Sequence, residues 1–238
     1  MAEEENSQQT PDLLAAGLSK LGLDNAAVRI HPILTQYIEE IELFNPAYGL
    51  VKVQDRRELI IKHILDSLAP LSCIRGILEN REGAGQRAPR VADVGSGAGL
   101  PGIPLAISLP EAEFTLIERM GRRAGFLRDA LAVLGLPNVR VEETEMEKLP
   151  AAQTGGFDLI VFRAFRPLGP DILKGLLRLL SPGGTIAAYK GRRESIEEEM
   201  SKLIGEAEKG KGPAIGGWEI LPLEVPFLEE ERRLLLIR

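Results

Sequence analysis

A glycine-rich turn in the middle of the chain is the part of the sequence best suited to hold a ligand. It reads Asp93-Val-Gly-Ser-Gly-Ala-Gly99 and lies between a predicted strand and a predicted helix. Gly95, Gly97 and Gly99 allow a tight bend and let a ligand approach the backbone N–H groups without a Cβ in the way. Three glycines at one strand–helix junction cost conformational entropy on folding that a simple turn does not require. The pattern therefore indicates ligand binding.

An acidic residue indicates which class of ligand this turn would take. Glu118 ends the next predicted strand, about 20 residues beyond the turn. A carboxylate in this place can accept two hydrogen bonds from a ribose diol. The turn and Glu118 together predict an adenosine-type cofactor at the carboxyl edge of a sheet.

The turn by itself leaves the identity of the cofactor open. Residues 97–102 also fit the dinucleotide pattern G-x-G-x-x-G, which is a weak signal when it stands alone. Asp93 stands two residues before the first glycine, where class I methyltransferases place an acid. Phe157–Phe162 and Leu180–Gly184 resemble the fourth strand of those enzymes and the turn before their fifth strand. These features favour S-adenosylmethionine over NAD or another nucleotide.

The residues after the predicted fourth strand argue against two kinds of methyl transfer. Enzymes that methylate an exocyclic amine usually carry Asp/Asn-Pro-Pro-aromatic there, whereas this chain has Phe162-Arg163-Ala-Phe165. Enzymes that methylate carbon-5 of a pyrimidine need a cysteine nucleophile. Cys73 is the only cysteine, falls in the N-terminal helical region, and is interpreted as a buried apolar residue. An acceptor with an exposed lone pair, such as N7 of guanine, needs only alignment in a dry pocket.

Basic residues cluster where the cofactor edge is predicted, although the net charge of the chain is −6. Arg163 is predicted to position the purine or the cofactor carboxylate, and an ion pair with a nearby acid is the alternative. The candidates for RNA binding follow the second and fifth strands and are Arg119, Arg122, Arg123, Lys190 and Arg192. Basic residues on one rim of an acidic protein favour a polyanionic substrate. Ordinary surface charge is the other interpretation.

Composition limits the class of protein. The 238 residues are 44% hydrophobic and 27% charged, which excludes wholesale disorder. One cysteine excludes an intrachain disulfide, and with only His31 and His63 we expect no metal site. No apolar run approaches the roughly 20 residues that span a bilayer, and the first residues do not resemble a signal peptide. We therefore expect a cytoplasmic protein without a membrane anchor.

Hydrophobic periodicity predicts a helical region followed by an α/β core. Residues 1–10 are predicted to be a disordered tail, residues 11–82 a helical region, and residues 88–238 the core, with a Gly-rich polar break between the last two. The predicted N-terminal helices are Pro11–Leu23, Pro32–Asn45 and Arg56–Leu71. His63 and Asp66 share a face of the third helix and are interpreted as a structural pair between the helices and the core.

The core alternates between strands and helices. The predicted strands are Arg90–Val94, Phe114–Glu118, Val139–Glu142, Phe157–Phe162, Thr185–Lys190, Trp218–Val225 and Arg233–Ile237. The predicted helices are Leu100–Leu109, Arg122–Leu134, Ile172–Leu180 and Ser195–Ile204, with a turn at Ser181–Gly184. This order predicts an α/β, Rossmann-like fold of the class I methyltransferase type. Its seven-stranded sheet would be mostly parallel, with an antiparallel edge made by the last two strands.

Several longer motifs along the chain carry a family resemblance: Lys62–Ser67, Asp93–Pro104, Gly121–Leu127, Arg163–Ala164, Lys190–Gly191 and Arg233–Arg238. Through them, and from about Tyr37 to the C-terminus, the chain resembles the ribosomal RNA small subunit methyltransferase G family. The long glycine motif matches closely and includes both of its prolines. In combination these motifs are specific for the family.

The resemblance implies transfer of a methyl group from S-adenosyl-L-methionine to N7 of a guanine in 16S rRNA, position 527 in the 530 loop. The rRNA would be presented within the small ribosomal subunit or its precursor, with no obligate protein partner. The resemblance also implies cofactor contacts at Gly95, Leu100, Met146, Glu147 and Arg163, with Met146 and Glu147 beside the adenine. A small-molecule methyltransferase is the enzymatic alternative. A nucleotide-binding regulator or an NAD-dependent enzyme is the alternative from another class.

Overall fold

A computed structural model describes residues 12–81, 87–150 and 156–238. The tail predicted at 1–10 lies outside these residues. Within the described ranges, helices cover both faces of a central sheet, and the apolar side chains form one cluster on each face. No helix in these ranges is long and apolar enough to cross a membrane.

The sheet has the predicted architecture. Its strands are β1 (Arg90–Val94), β2 (Glu113–Ile117), β3 (Val139–Glu142), β4 (Phe157–Arg163), β5 (Leu180–Lys190), β6 (Trp218–Leu223) and β7 (Arg232–Ile237). Their order is β3-β2-β1-β4-β5-β7-β6, parallel from β3 to β5, with β7 antiparallel to both β5 and β6. Asp93 of β1 pairs with Leu116 of β2 and Val161 of β4, so the carboxyl ends of these strands meet at one edge.

Helices pack on this sheet in two groups. The first group comprises α1 (Leu13–Lys20), α2 (Asp24–Tyr48), α3 (Arg56–Leu59), a π-helical turn (Ile60–Leu65), α4 (Asp66–Leu68), α5 (Leu71–Glu79), α6 (Gly102–Ser108) and α7 (Gly121–Leu134). The second comprises α8 (Pro170–Leu179) and α9 (Arg193–Glu208) on the opposite face. A short 3-10 turn, Met146–Lys148, follows β3.

The second helix is longer than the sequence predicts. Because α2 runs from Asp24 to Tyr48, the predictions that it begins at Pro32 and that Pro46 ends it are wrong. A proline inside a helix costs about 3 kcal/mol. The buried face of α2, which packs against α6 and α7, outweighs that cost. The helix ends at Gly49, whose φ of +59° suits a left-handed C-cap.

The third predicted helix is also revised. It ends at Leu68 rather than Leu71, its middle is the π-helical turn, and a further helix, α5, was not predicted. Pro70 cannot donate a backbone hydrogen bond, so the chain turns there before α5 begins. The π-helical turn bends the hydrogen-bond ladder beside the end of β4, and such turns are common at functional sites.

In the core, the main difference from the prediction lies at the start of β5. The predicted turn Ser181–Gly184 belongs to the strand, because β5 begins at Leu180. Phe157 pairs with Leu180 and Leu159 pairs with Thr185, so these residues form a bulge against β4. The α8 helix begins at Pro170, a residue favoured in the first helical turn. Arg90–Val94 and Val139–Glu142 have the predicted bounds, and the other core elements shift at their ends by a few residues.

Candidate functional site

Two adjoining clefts open at the carboxyl edge of the sheet. The smaller, about 430 Å³, lies between the ends of β1 and β2 and the segment after β3. The larger, about 710 Å³, lies between the ends of β4 and β5 and the π-helical turn. Ala164, Phe165 and Arg166 line both clefts. A molecule in one cleft is therefore separated from a molecule in the other only by this short segment.

The glycine turn is held in its bend from two sides. Gly95, Gly97 and Gly99 have φ values of +70°, +58° and +91°, which other residues rarely adopt. The backbone N–H of Gly95 donates to the Ile117 carbonyl at 2.9 Å, which ties the turn to the end of β2. From the opposite side, the Tyr37 hydroxyl of α2 donates to the Ala98 carbonyl at 2.6 Å.

The carboxylate of Glu118 binds the turn directly. Its Oε2 accepts the N–H of Gly97 at 2.9 Å, and its Oε1 accepts the N–H of Met120 at 2.8 Å. Glu118 is 4% exposed and lines the smaller cleft. Each carboxylate oxygen has a second lone pair, so Glu118 retains acceptor capacity for a ribose diol.

Asp93 lies beneath the turn in the core. Its Oδ2 accepts the N–H of Gly102 at 2.9 Å, and its Oδ1 has no hydrogen-bond partner in the described structure. Burial raises the pKa of Asp93 to about 7, although Gly102 and the charge of Arg163 act in the opposite direction. Asp93 therefore joins the start of α6 to β1 and does not line either cleft.

The structure brings four of the predicted cofactor residues to the smaller cleft. Gly95, Glu118, Met146 and Glu147 line its wall. Met146 is buried, whereas Glu147 is exposed and pairs with Arg166 across the cleft at 2.8 Å. Their cofactor contacts remain predictions.

The remaining glycine-motif residues lie differently. A Cβ on Gly97 would meet no atom closer than 3.9 Å, so there is open space beside its backbone. A Cβ on Gly99 would lie 2.5 Å from Ile103, so Gly99 allows the turn to pack closely on α6. Leu100 is buried in the core. Gly97, Gly99 and Leu100 line neither cleft, and their contacts with a cofactor stay predictions.

The side chain of Arg163 binds residues of the N-terminal helical region. Its Nη1 donates to Asp66 Oδ2 at 2.7 Å and to the Lys62 carbonyl at 3.1 Å. Its Nη2 lies 2.9 Å from Nδ1 of His63. Burial and the charge of Arg163 lower the pKa of His63 to about 4, so His63 is neutral near pH 7 and can accept this hydrogen bond. The ion pair foreseen as the alternative role of Arg163 is present, and its side chain also lines the larger cleft.

Phe165 was not predicted as a site residue. A Cβ on Gly95 would lie 2.4 Å from its ring, so the ring rests on the glycine turn. The guanidinium of Arg166 covers the ring at 4.6 Å, and Phe162 contacts it edge-on at 6.1 Å. Ala164 has a φ of +48°, a strained value for a residue other than glycine. The sequence signal for Phe165 is an aromatic residue two positions after Arg163. It lies in the stretch where enzymes that methylate an exocyclic amine usually carry Asp/Asn-Pro-Pro-aromatic.

The predicted RNA-binding residues lie around both clefts. Arg119 and Arg123 line the smaller cleft, and Lys190 lines the larger one and pairs with Glu199 at 2.6 Å. Arg122 stacks over Tyr48 at 5.9 Å, and Arg192 precedes α9. The larger cleft has further basic residues that were not predicted, namely Lys52, Lys62, Arg166, Arg232 and Arg233. They come from four separate segments, so their convergence has no signal in the sequence.

The residues at the smaller cleft fit an adenosine-type cofactor and not a metal. Gly97 leaves open space, and Glu118 offers a buried carboxylate for hydroxyl groups. Among the described residues, no group of His, Cys, Asp and Glu side chains could hold a metal ion.

Comparison with known proteins gives a consistent result. The family model described as rRNA small subunit methyltransferase G matches residues 30–211. Proteins named ribosomal RNA small subunit methyltransferase G are similar along nearly the whole chain. The one from Treponema pallidum is 40% identical over 94% of this chain and 92% of its own length, and the one from Treponema denticola is 36% identical over 94% and 93%.

Solved structures support the fold alone. The plantazolicin methyltransferase BpumL in complex with SAH superposes with a TM-score of 0.57 at 15% identity, covering 88% of this chain and 97% of that one. The human methyltransferase 10 domain containing protein superposes with a TM-score of 0.54 at 11% identity, covering 86% and 97%. Both likenesses agree with a class I, Rossmann-like methyltransferase fold.

Proposed function

Because this chain belongs to the rRNA small subunit methyltransferase G family, we propose that it methylates N7 of a guanine in 16S rRNA. Family and fold together identify it as an S-adenosylmethionine-dependent methyltransferase. The observation that carries the proposal is the pair of clefts that share the Ala164–Arg166 wall. One has the features of a donor site, and the other is wide enough for a nucleotide.

The smaller cleft would hold the cofactor. S-adenosylmethionine supplies a methyl group on a positively charged sulfur, from which a nucleophile can take it directly. Glu118 would accept hydrogen bonds from the ribose hydroxyls, and the open backbone at Gly97 would allow close approach. Met146 and Glu147 would flank the adenine at the far wall.

The larger cleft would hold the target guanine. Its volume falls within the range of about 300–1,000 Å³ typical of small-molecule sites. Phe162, Phe165 and Tyr189 provide the aromatic part of its lining. Bases that leave a stack are commonly bound on such aromatic side chains.

Proton transfer is not required of the protein in this reaction. N7 of guanine carries an unshared electron pair and no proton, so the side chains need only align it and keep water out. Alignment of this kind can contribute about 7–11 kcal/mol in favourable cases. A reaction without a covalent enzyme intermediate agrees with the position of Cys73, which lines neither cleft.

Basic residues around the clefts would bind the phosphate backbone. Arg119, Arg122 and Arg123 lie on one side, and Lys190 and Arg192 on the other. Phosphate contacts release counterions, so we expect the affinity for RNA to fall steeply with salt concentration. This set of RNA contacts is part of the proposal.

We extend the proposal to the setting of the reaction. The substrate would be 16S rRNA in the small subunit or its precursor, in the cytoplasm, without an obligate protein partner. Residues 11–82 would act as a helical region that supplies one wall of the larger cleft, through Lys52, Lys62, His63 and Asp66. Residues 88–238 would form the cofactor-binding core.

The test uses small subunits that lack the modification. We expect the purified protein and radiolabelled S-adenosylmethionine to place label on one guanine, mapped to N7 by mass spectrometry. The Arg123→Met variant should raise KM for the particles, whereas Lys209→Met, at the exposed C-terminal end of α9 and outside both clefts, should not. Label in small molecules only would favour the small-molecule alternative. Binding of NAD but not of S-adenosylmethionine in equilibrium dialysis would overturn the proposal.

A further inference from the structure

One guanidinium of α8 supports the segment beneath the smaller cleft. Arg178 Nη1 donates to the Leu149 carbonyl at 2.9 Å. Its Nη2 donates to the carbonyls of Met146 at 3.0 Å and Glu147 at 3.3 Å. These carbonyls belong to the 3-10 turn and to the residue after it; that of Met146 also accepts the Leu149 N–H, whereas those of Glu147 and Leu149 lie beyond the last hydrogen bond of the turn.

Among the described residues, the other backbone hydrogen bonds of this turn are local. Lys148 N–H donates to the Glu145 carbonyl at 2.9 Å, and Leu149 N–H donates to the Met146 carbonyl at 3.3 Å. Within the described ranges, Arg178 is the residue outside the segment that donates hydrogen bonds to its backbone carbonyls. The edge strand β3 before the turn is only partly buried and gives little further support.

A second contact with α8 sets the distance between the 3-10 turn and this helix. A Cβ on Gly175 would lie 2.8 Å from Cε of Met146, so that side chain rests directly on the helix. Gly175 and Arg178 are three residues apart and therefore face the same side of α8. The helix thus provides both a flat support below Met146 and a cation that holds the carbonyls.

We infer that Arg178 is a positioning residue for the adenosine end of the cofactor. It touches neither cleft, and it acts by holding Met146 and Glu147 at the wall of the smaller cleft. Cations at the carbonyl end of a helical turn are favourable, and hydrogen bonds from charged donors are stronger than neutral ones. The inference rests on the proposed function, because it takes these two residues as cofactor contacts.

The test is a comparison of Arg178→Met with the wild-type protein. The substitution keeps an unbranched side chain but removes every donor. We expect Kd for S-adenosylmethionine, measured by calorimetry, to rise about tenfold, equal to about 1.4 kcal/mol. We expect kcat at saturating cofactor and KM for small subunits to stay within about twofold. Arg178→Lys, which retains one donating centre, should recover part of the affinity.

A matched control separates loss of these bonds from loss of charge. Lys174→Met removes an exposed cation from the same helix and should leave Kd unchanged. Hydrogen exchange in the cofactor-free protein gives a readout independent of function: the amides of Lys148 and Leu149 should exchange faster in Arg178→Met.

Three other outcomes of these measurements would contradict the inference. Equal Kd values for Arg178→Met and Lys174→Met, or equal losses in kcat and affinity, would overturn it while leaving the proposed function intact. Unchanged exchange at Lys148 and Leu149 would also overturn it. Absence of S-adenosylmethionine binding by the wild-type protein would overturn the proposed function, and this inference with it.

Discussion

The backbone N–H of Gly97 donates a hydrogen bond to the buried carboxylate of Glu118 at 2.9 Å, although 21 residues separate them in the chain. The bond joins the loop after β1 to the end of β2. Met120 binds the other oxygen of the same carboxylate, so one side chain sets the spacing of two backbone segments at the edge of the smaller cleft.

Replacing Glu118 by Gln should therefore damage both the site and the fold. An amide has only one carbonyl oxygen, so one of the two backbone N–H groups loses its acceptor, at a cost of about 1–3 kcal/mol. We expect weaker binding of S-adenosylmethionine in equilibrium dialysis and a lower midpoint of urea unfolding. Glu111→Gln, an exposed acid before β2, is the control and should change neither. Unaltered binding by Glu118→Gln would mean that this carboxylate does not face the cofactor.

Substitutions at Gly97 should separate the effect of backbone strain from the effect of filling the open space beside the glycine turn. Alanine adds a Cβ that meets no atom within 3.9 Å, so its cost is the positive φ alone, about 1–2 kcal/mol. Aspartate also extends a charged group into the open space, and we expect cofactor binding to be lost. Circular dichroism and calorimetry of the two variants test this difference. If Gly97→Asp binds as tightly as Gly97→Ala, the turn does not contact the cofactor.

Gly95 and Phe165 should be energetically coupled. A Cβ at Gly95 would press on the Phe165 ring at 2.4 Å, so Gly95→Ala must displace the ring. In a Phe165→Ala background only the strain at a φ of +70° remains, and Gly95→Ala should cost less. Urea unfolding of the four proteins in this double-mutant cycle gives the coupling free energy. A cost that is the same in both backgrounds would contradict the contact.

Asp66 should be among the residues least tolerant of a neutral replacement. Its side chain is 3% exposed, pairs with Arg163 at 2.7 Å, and has Arg232 at 3.2 Å. Asp66→Asn leaves two guanidinium groups without their acid, and breaking a buried pair in this way costs about 3–5 kcal/mol. Glu198→Gln breaks only an exposed pair with Lys202 and should leave the free energy of unfolding almost unchanged in the same urea titration. Similar costs for both variants would contradict the burial of the Asp66 cluster.

The partly buried His63 and the buried Asp93 should give opposite contributions to stability between pH 4 and 7. Burial lowers the pKa of His63 from 6.5 to about 4, so its contribution is present above pH 6.5 and is lost as the pH falls through 4. Burial raises the pKa of Asp93 from 3.8 to about 7, so its contribution is present below pH 3.8 and is lost as the pH rises through 7. Each group contributes a slope of at most about 1.4 kcal/mol per pH unit.

Replacing either residue should leave the pH dependence of the free energy of unfolding that the other residue causes. In Asp93→Asn the free energy of unfolding should rise more steeply with pH from 4.5 to 6.5 than in the wild-type protein. In His63→Gln it should rise less, or fall. Urea unfolding at several pH values measures both, and identical slopes in all three proteins would refute the opposing contributions.

Local patterns in the sequence were sufficient for the elements of the core. The bounds of Arg90–Val94 and Val139–Glu142 match the prediction, because each is a short apolar or alternating run between clear breaks. Helix α2 was cut short in the prediction, since a proline stops an isolated helix but not one whose face is buried. Leu71–Glu79 was missed for the same kind of reason: its packing on the sheet is a tertiary effect.

The site could be predicted where neighbouring residues in the chain share one task. Spacing and residue type indicate that Glu118 lies beside the glycine turn, and a hydrogen bond joins the two in the structure; their contacts with a cofactor stay predictions. The contacts of Arg163 with His63 and of Phe165 with Gly95 join segments far apart in the chain. No periodicity or motif specifies such pairs, so only the folded structure reveals them.

The hydroxyl of Tyr37 reaches the Ala98 carbonyl from outside the sheet, and burial raises the pKa of Tyr37 well above 10, so it remains a donor. A fragment that starts at residue 88 would retain all seven strands yet lack this support. The glycine turn therefore depends on the N-terminal helices for part of its support, and the two cannot be exchanged independently. Grafting the helical segment of a distant relative onto this sheet would require that relative to offer a hydroxyl at the same point.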